Sequence, residues 1–186
     1  MKLWSNASSF VCLIALGVAV GGAALARLDS AAGEPGTYRS DTGRFRVDFP
    51  GKSDPTVIVL EGDNFAMTKN NINYSIVSDG IEFSVEIHDI PRVARFMLGS
   101  DYILDESVSA KLADMSAREV DVVATSFQGE PAREVVFAAD NQSFAGRMLL
   151  VLADRRIYLV GVLHPPSRDT REVSARFFES FSFWSE

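Results

Sequence analysis

Residues 148–163 read MLLVLADRRIYLVGVL. Two apolar runs, Met148 to Ala153 and Ile157 to Leu163, stand on either side of Asp154-Arg155-Arg156. Each has the length of a strand, and each is apolar at successive positions rather than at every second one. A strand with one face in water alternates polar and apolar residues, so a strand without alternation needs cover on both faces. Asp154-Arg155 supplies a turn. The two runs therefore read as paired central strands of a sheet covered on both sides.

Working outward, strand signals dominate. Residues 44–52, RFRVDFPGK, alternate through Phe49 and stop at Pro50-Gly51, which places Phe45, Val47 and Phe49 on the core face of an opening strand. Thr56–Leu60 and Asn73–Val77 are two further runs, the first broken by Glu61-Gly62-Asp63-Asn64. Ser78-Asp79-Gly80 is a tight-turn sequence. After it, Ile81, Phe83, Val85 and Ile87 alternate with Glu82, Ser84, Glu86 and His88, which predicts a hairpin with one wet face. Residues 101–117 change period. Tyr102, Ile103, Val108, Leu112 and Met115 approximate a helical stripe, with acids at the start and Lys111 and Arg118 toward the end, the order that suits the helix dipole. Val120, Val122 and Phe127 return to strand, and Arg133 to Ala139 follow a turn at Gln128-Gly129-Glu130-Pro131. A helix is expected from Arg168 to Phe178, and a closing strand over Ser180–Trp184. The fold class is α+β: a largely antiparallel sheet of about eight strands, covered by helices on both faces.

The chain has 186 residues, 47% hydrophobic and 23% charged, the proportions of one ordinary globular domain. The formal charge of -7 and the lack of a basic stripe argue against a nucleic-acid partner. Lys2 precedes an uncharged run from Phe10 to Ala26 that ends in Ala24-Leu25-Ala26. Residues 1–26 are thus a secretory signal peptide, or alternatively a membrane anchor through residues 10–26. Residues 27–42, with Gly33 and Pro35-Gly36, read as a linker, and the domain runs over 43–186. Export to the periplasm or the extracellular space is expected, with the membrane touched only through the N-terminal segment if it is retained. Cys12, the one cysteine, lies in that segment. The mature chain would hold no disulfide, thiol nucleophile or zinc–thiolate site.

The chemistry-bearing residues are sparse. His88 stands beside Asp89, and His164 precedes Pro165-Pro166; neither has the close spacing of a zinc site, and both read as surface histidines. No Gly-x-Ser-x-Gly elbow occurs, and Ser100 reads as a helix cap. Asp101, Asp105, Glu106 and Asp114 read as a solvated helix face. Phe127, Phe137, Phe144, Phe177, Phe178, Phe181 and Phe183 fall where core is expected. The exception is Phe96-Met97-Leu98, between Pro91 and Gly99 in a stretch without clear period. These three are the candidate partner surface, as an exposed apolar loop. No catalytic, cofactor-binding or metal residue is assigned, and no cofactor is expected.

Four segments carry a resemblance: GRFRVDFPGK at 43–52, GEPAREVVF at 129–137, RIYLVGV at 156–162 and ARFFESFSF at 175–183. Together they resemble the PsbP-like and Mog-type α/β/α sandwich superfamily, as an exported bacterial member without an assigned role. The matching residues are strand, turn and core positions, so none of the family's functional residues carries over. The resemblance implies a non-enzymatic accessory or binding domain with a protein partner at the cell envelope. The alternatives are a carrier of a small, lipid-like apolar ligand and, third, a hydrolase.

Overall fold

The structure, a computed structural model, describes residues 36–51, 54–61 and 70–184. The signal or anchor segment, most of the linker, and the Asp63-Asn64 break lie outside the described residues. In chain order the elements are β1 (Thr37–Ser40), β2 (Phe45–Asp48), β3 (Thr56–Glu61), β4 (Asn70–Ser78), β5 (Ile81–Asp89), α1 (Arg92–Met97), α2 (Ser100–Asp114), β6 (Ala117–Phe127), β7 (Glu130–Ala139), β8 (Ala145–Ala153), β9 (Arg156–His164), α3 (Arg171–Ser180) and β10 (Ser182–Phe183). The fold is α+β with antiparallel sheets. The single sheet of about eight strands expected from hairpins in series is instead two sheets. One has seven strands in the order β3-β4-β5-β9-β8-β7-β6, and the other has three in the order β1-β2-β10. The opening strand belongs to the small sheet, where the two ends of the domain meet. β1 also falls inside the stretch read as linker.

β8 and β9 are central, as their composition requires. β8 pairs with β7 and β9, and β9 with β5 and β8. Their side chains divide between two cores. Leu149, Val151, Tyr158, Val160 and Val162 enter a cluster with Phe45, Val47, Phe49, Phe177, Phe178 and Phe181. Met148, Leu150, Leu152, Ile157 and Leu159 enter another with Ile103, Leu104, Val108 and Leu112 of α2. The pleat sends neighbours to opposite faces, which is why these runs carry no polar alternation. The first cluster is covered by the small sheet together with α3, rather than by a helix alone. Gly146 sits where β7, β8 and β9 close up: a Cβ there would stand 2.5 Å from the Phe137 ring and 2.6 Å from the Val162 carbonyl oxygen.

The turns follow local chemistry. Asp79 and Gly80 link β4 to β5 with φ of 52° and 72°, and Gln128 and Gly129 link β6 to β7 with 51° and 86°. Two successive positive φ values match the right-handed twist of the flanking strands, and glycine reaches them without a Cβ penalty.

The helices differ from their sequence reading. α2 begins at Ser100 and ends at Asp114, burying Ile103, Leu104, Ser107, Val108 and Leu112. Tyr102, read as part of the stripe, is 55% exposed. Ser100 is the first helical residue; Gly99 holds the cap position without a side-chain bond. The stretch around Phe96 is a helix, α1, and not a loop. Its six residues bury none of their side chains, so no period could announce it. α3 runs three residues later than expected at its start, and buries Ser174, Phe177 and Phe178.

Candidate functional site

A cleft of about 640 Å³ opens at the end of the molecule where α1 begins. Three stretches build it. The β5–α1 junction brings Asp89 to Arg92, the β8–β9 turn brings Ala153 to Arg156, and the small sheet brings Arg44, Phe183 and Trp184. Glu130 and Tyr158 complete the lining.

Hydrogen bonds fix the walls. The Ile90 amide donates to the Arg155 carbonyl at 2.8 Å, joining the two turns. Arg156 donates through Nε to Asp89 Oδ1 at 3.0 Å and through Nη1 to the Thr42 carbonyl at 2.9 Å. The Tyr158 hydroxyl donates to the Gly43 carbonyl at 3.0 Å. Burial pushes that phenol above its ordinary pKa even with Arg156 beside it, so it remains a donor at neutral pH. Trp184 is held on three sides. Its amide reaches the Arg44 carbonyl at 3.2 Å, its indole N–H reaches the Ser40 carbonyl at 3.2 Å, and the Arg39 guanidinium stacks 3.6 Å from its ring centroid. From α1, Arg95 donates to the Asp154 carbonyl at 3.2 Å and to Ser100 Oγ at 3.1 Å.

The charges in the cleft are unequally matched. Asp89 and Arg156 pair with each other. Arg44, Arg92 and Arg155 make no ion pair among the described residues, and all three are exposed. Arg92 stands one helical turn before Phe96, so the two share a face of α1. The sequence-predicted partner surface therefore adjoins the cleft. Phe96 is 93% and Met97 74% exposed, whereas Leu98 packs against the α2-side core.

His88 requires a correction. It is 1% exposed, and Ser84 and Glu86 on the same face are buried as well. The face expected to be wet carries polar residues because an ion pair is buried there. Lys111 of α2 reaches across to donate to Glu86 Oε1 at 2.6 Å, and His88 Nε2 lies 3.4 Å from Glu86 Oε2. Burial by itself pushes the Glu86 carboxyl up. The Lys111 charge and hydrogen bonds from His88 and Lys111 outweigh that and hold it at about 2. Glu82 is raised, by burial first and then by the Glu86 charge.

These shifts have opposite signs for stability. Glu86 is depressed, so its contribution is complete above the ordinary carboxylate range and is lost as pH falls from about 4.5 toward 2. Glu82 is raised, so its charge opposes folding at neutral pH and that opposition fades on acidification. We expect acid unfolding to remove on the order of 1–3 kcal/mol through Glu86. Urea unfolding midpoints at pH 6, 4 and 3 check this, with Glu86→Gln flattening the acid limb and Glu82→Gln raising the midpoint at pH 7.

Among the remaining predicted residues, Asp101 and Asp105 lie on the exposed side of α2, and both accept from Arg133, at 2.8 Å each. His164 is at the end of β9, its Nδ1 2.9 Å from the Pro165 carbonyl. Among the described residues no group of three or more His, Cys, Asp or Glu could hold a metal. The arginines of the cleft were not singled out from the sequence. Their only local signal is Arg155-Arg156 in a turn and Arg92 after Pro91, and nothing local brings Arg44 to them.

No family model matches the chain, and no curated protein matches it. Among solved structures the chain is similar to the cyanobacterial PsbP protein CyanoP from Synechocystis sp. PCC 6803. That match has a TM-score of 0.55 and 13% identity, and covers 83% of this chain and 98% of that one. A Pseudomonas aeruginosa protein of unknown function, PA94, aligns at a TM-score of 0.35 and 9% identity over 70% of this chain and 83% of its own, too little to carry an argument. The likeness to CyanoP concerns the fold: this chain folds as a PsbP-like α+β protein.

Proposed function

We propose that the chain is an exported, non-catalytic binding or accessory domain that works at the cell envelope, in the periplasm or on the outer side of the membrane, by docking a protein partner. One observation carries the reading. Phe96 and Met97 place two large apolar side chains in water on a helix with no fully buried residue, beside Val93 at 67% exposure. An exposed apolar cluster next to a cleft suits a docking surface. The PsbP-like fold supports an accessory role, and Ala24-Leu25-Ala26 supports export.

The test is affinity purification from cross-linked cell envelopes with mass spectrometry, comparing the wild type with Phe96→Ser/Met97→Ser. Exposed substitutions of this kind shift stability by no more than about 0.5 kcal/mol each, so a fold defect will not mimic loss of binding. The expected result is a reproducible envelope protein retained by the wild type and reduced at least about tenfold by the variant, as for a docking anchor. Equal retention by both overturns the docking surface. The N-terminus of the bait, read in the same run, separates cleavage before Arg27 from retention of residues 10–26.

A further inference from the structure

We infer that the arginine cleft receives a short acidic peptide segment of that partner, its carboxylates on Arg44, Arg92 and Arg155 and an apolar side chain on Phe96 and Met97; this rests on the docking reading above. Acids outnumber bases 25 to 18 in this chain. Against that balance, three exposed arginines without an ion pair among the described residues line one cleft. Elsewhere Arg39, Arg133, Arg147, Arg171 and Arg176 each have a carboxylate within the ion-pair distance, while Arg46, Arg95 and Arg168 donate to hydroxyl or carbonyl oxygens instead and Arg118, like the cleft arginines, makes no ion pair among the described residues. The fourth arginine of the cleft, Arg156, is spent on Asp89 and the Thr42 carbonyl and serves as wall.

Shape and charge narrow the occupant. The cleft is open, formed by turns and the small sheet, and its lining reaches α1 at Arg92, one helical turn before the exposed Phe96. An extended segment fits that course. Guanidinium groups bind carboxylates through paired N–H donors, and a locally positive patch on an acidic protein steers an acidic segment to it. Glu130 and Asp154 also line the cleft, which keeps the positive excess small. That balance suits a few spaced carboxylates and disfavours a phosphate polymer, which needs many uncompensated cations.

The probe is the peptide acetyl-Glu-Leu-Glu-Glu-Leu-Glu-amide, with its Gln-for-Glu counterpart as control, titrated into isotope-labelled full-length protein and followed by amide chemical shifts. The expected result is saturable shifts at residues 89, 90, 92, 153–156 and 183–184 with the acidic peptide only, weakened by added salt. Arg44→Glu/Arg92→Glu/Arg155→Glu is expected to weaken them at least about tenfold, since each exposed pair contributes a few-fold. The unfolding midpoint of that variant, measured alongside, establishes that it is folded. Equal shifts with both peptides, no shifts up to millimolar peptide, or an unaffected triple variant each overturn the inference. So does tighter binding of an oligothymidylate or of anionic phospholipid vesicles at the same residues. A concentration-dependent dimer that protects the cleft, or protection lost when residues 1–35 are removed, would put this chain itself there and overturn it as well. If the peptide fails while Phe96→Ser/Met97→Ser still loses the envelope partner, the docking reading stands and only the acidic segment is refuted. If that variant keeps the partner, the docking reading fails whatever the peptide does.

Discussion

Replacing Lys111 by Met is expected to destabilise the fold by about 3–5 kcal/mol, the range for removing one partner of a buried ion pair. The Glu86 side chain is 10% exposed and that of Lys111 15%, so neither charge is free to relax into bulk water. With the ammonium gone, Glu86 has lost the cation that holds its carboxyl down, and His88 remains beside it. The carboxyl must then bind a proton or draw water into the core, and both outcomes weaken the folded state at neutral pH. The reverse removal, Glu86→Gln, is expected to cost less. A lysine can extend its four-carbon stem toward the surface, and glutamine retains acceptors. The double variant Lys111→Met/Glu86→Gln is expected to recover part of the loss, because no charge is left buried. Urea unfolding of all four proteins gives the coupling directly. Loss of less than about 1 kcal/mol in Lys111→Met, the scale of an exposed pair, would show that the pair is solvated.

Phe181→Ala is expected to cost about 3–5 kcal/mol, the range for removing a buried aromatic ring. Phe181 is 0% exposed and stands where the chain leaves α3 for β10. Its ring centroid lies 5.6 Å from Phe45, 5.8 Å from Phe127, 5.9 Å from Tyr158 and 5.4 Å from Phe183. It thus ties the small sheet to the large one, and a cavity there loosens that junction. The cleft should suffer with the core, because Arg44, Phe183 and Trp184 ride on the small sheet. Amide exchange should accelerate in β1, β2 and β10 more than in β8 and β9. Uniform acceleration across both sheets would mean that the two unfold only together.

How much of this was legible can be argued residue by residue. Met148–Leu163 announced central strands because burial on both faces removes the polar alternation, and a strand's own residues record that. Phe45, Val47 and Phe49 announced a core face for the same local reason, but could not say which sheet they join. Their partner β10 lies far along the chain, as the Arg46–Ser182 hydrogen bond across 136 positions illustrates. The polar row Glu82 to His88 misled. Alternation looks the same whether polar side chains face water or a buried countercharge, and the countercharge on Lys111 comes from a separate helix. Phe96 and Met97 were legible as exposed through the absence of a period, although that absence concealed a helix. The cleft was not legible, because Arg44, Arg92 and Arg155 converge only through sheet pairing and turn geometry.

The most direct test of the account places a photoreactive phenylalanine analogue at position 96, and separately at position 123 on the edge strand β6, in cells that make the protein. Val123 is 50% exposed and lies in β6, at the opposite edge of the large sheet from β3. The account predicts a light-dependent adduct with one envelope protein from position 96 and none from position 123. Adducts absent at 96, or equal at both positions, would contradict it.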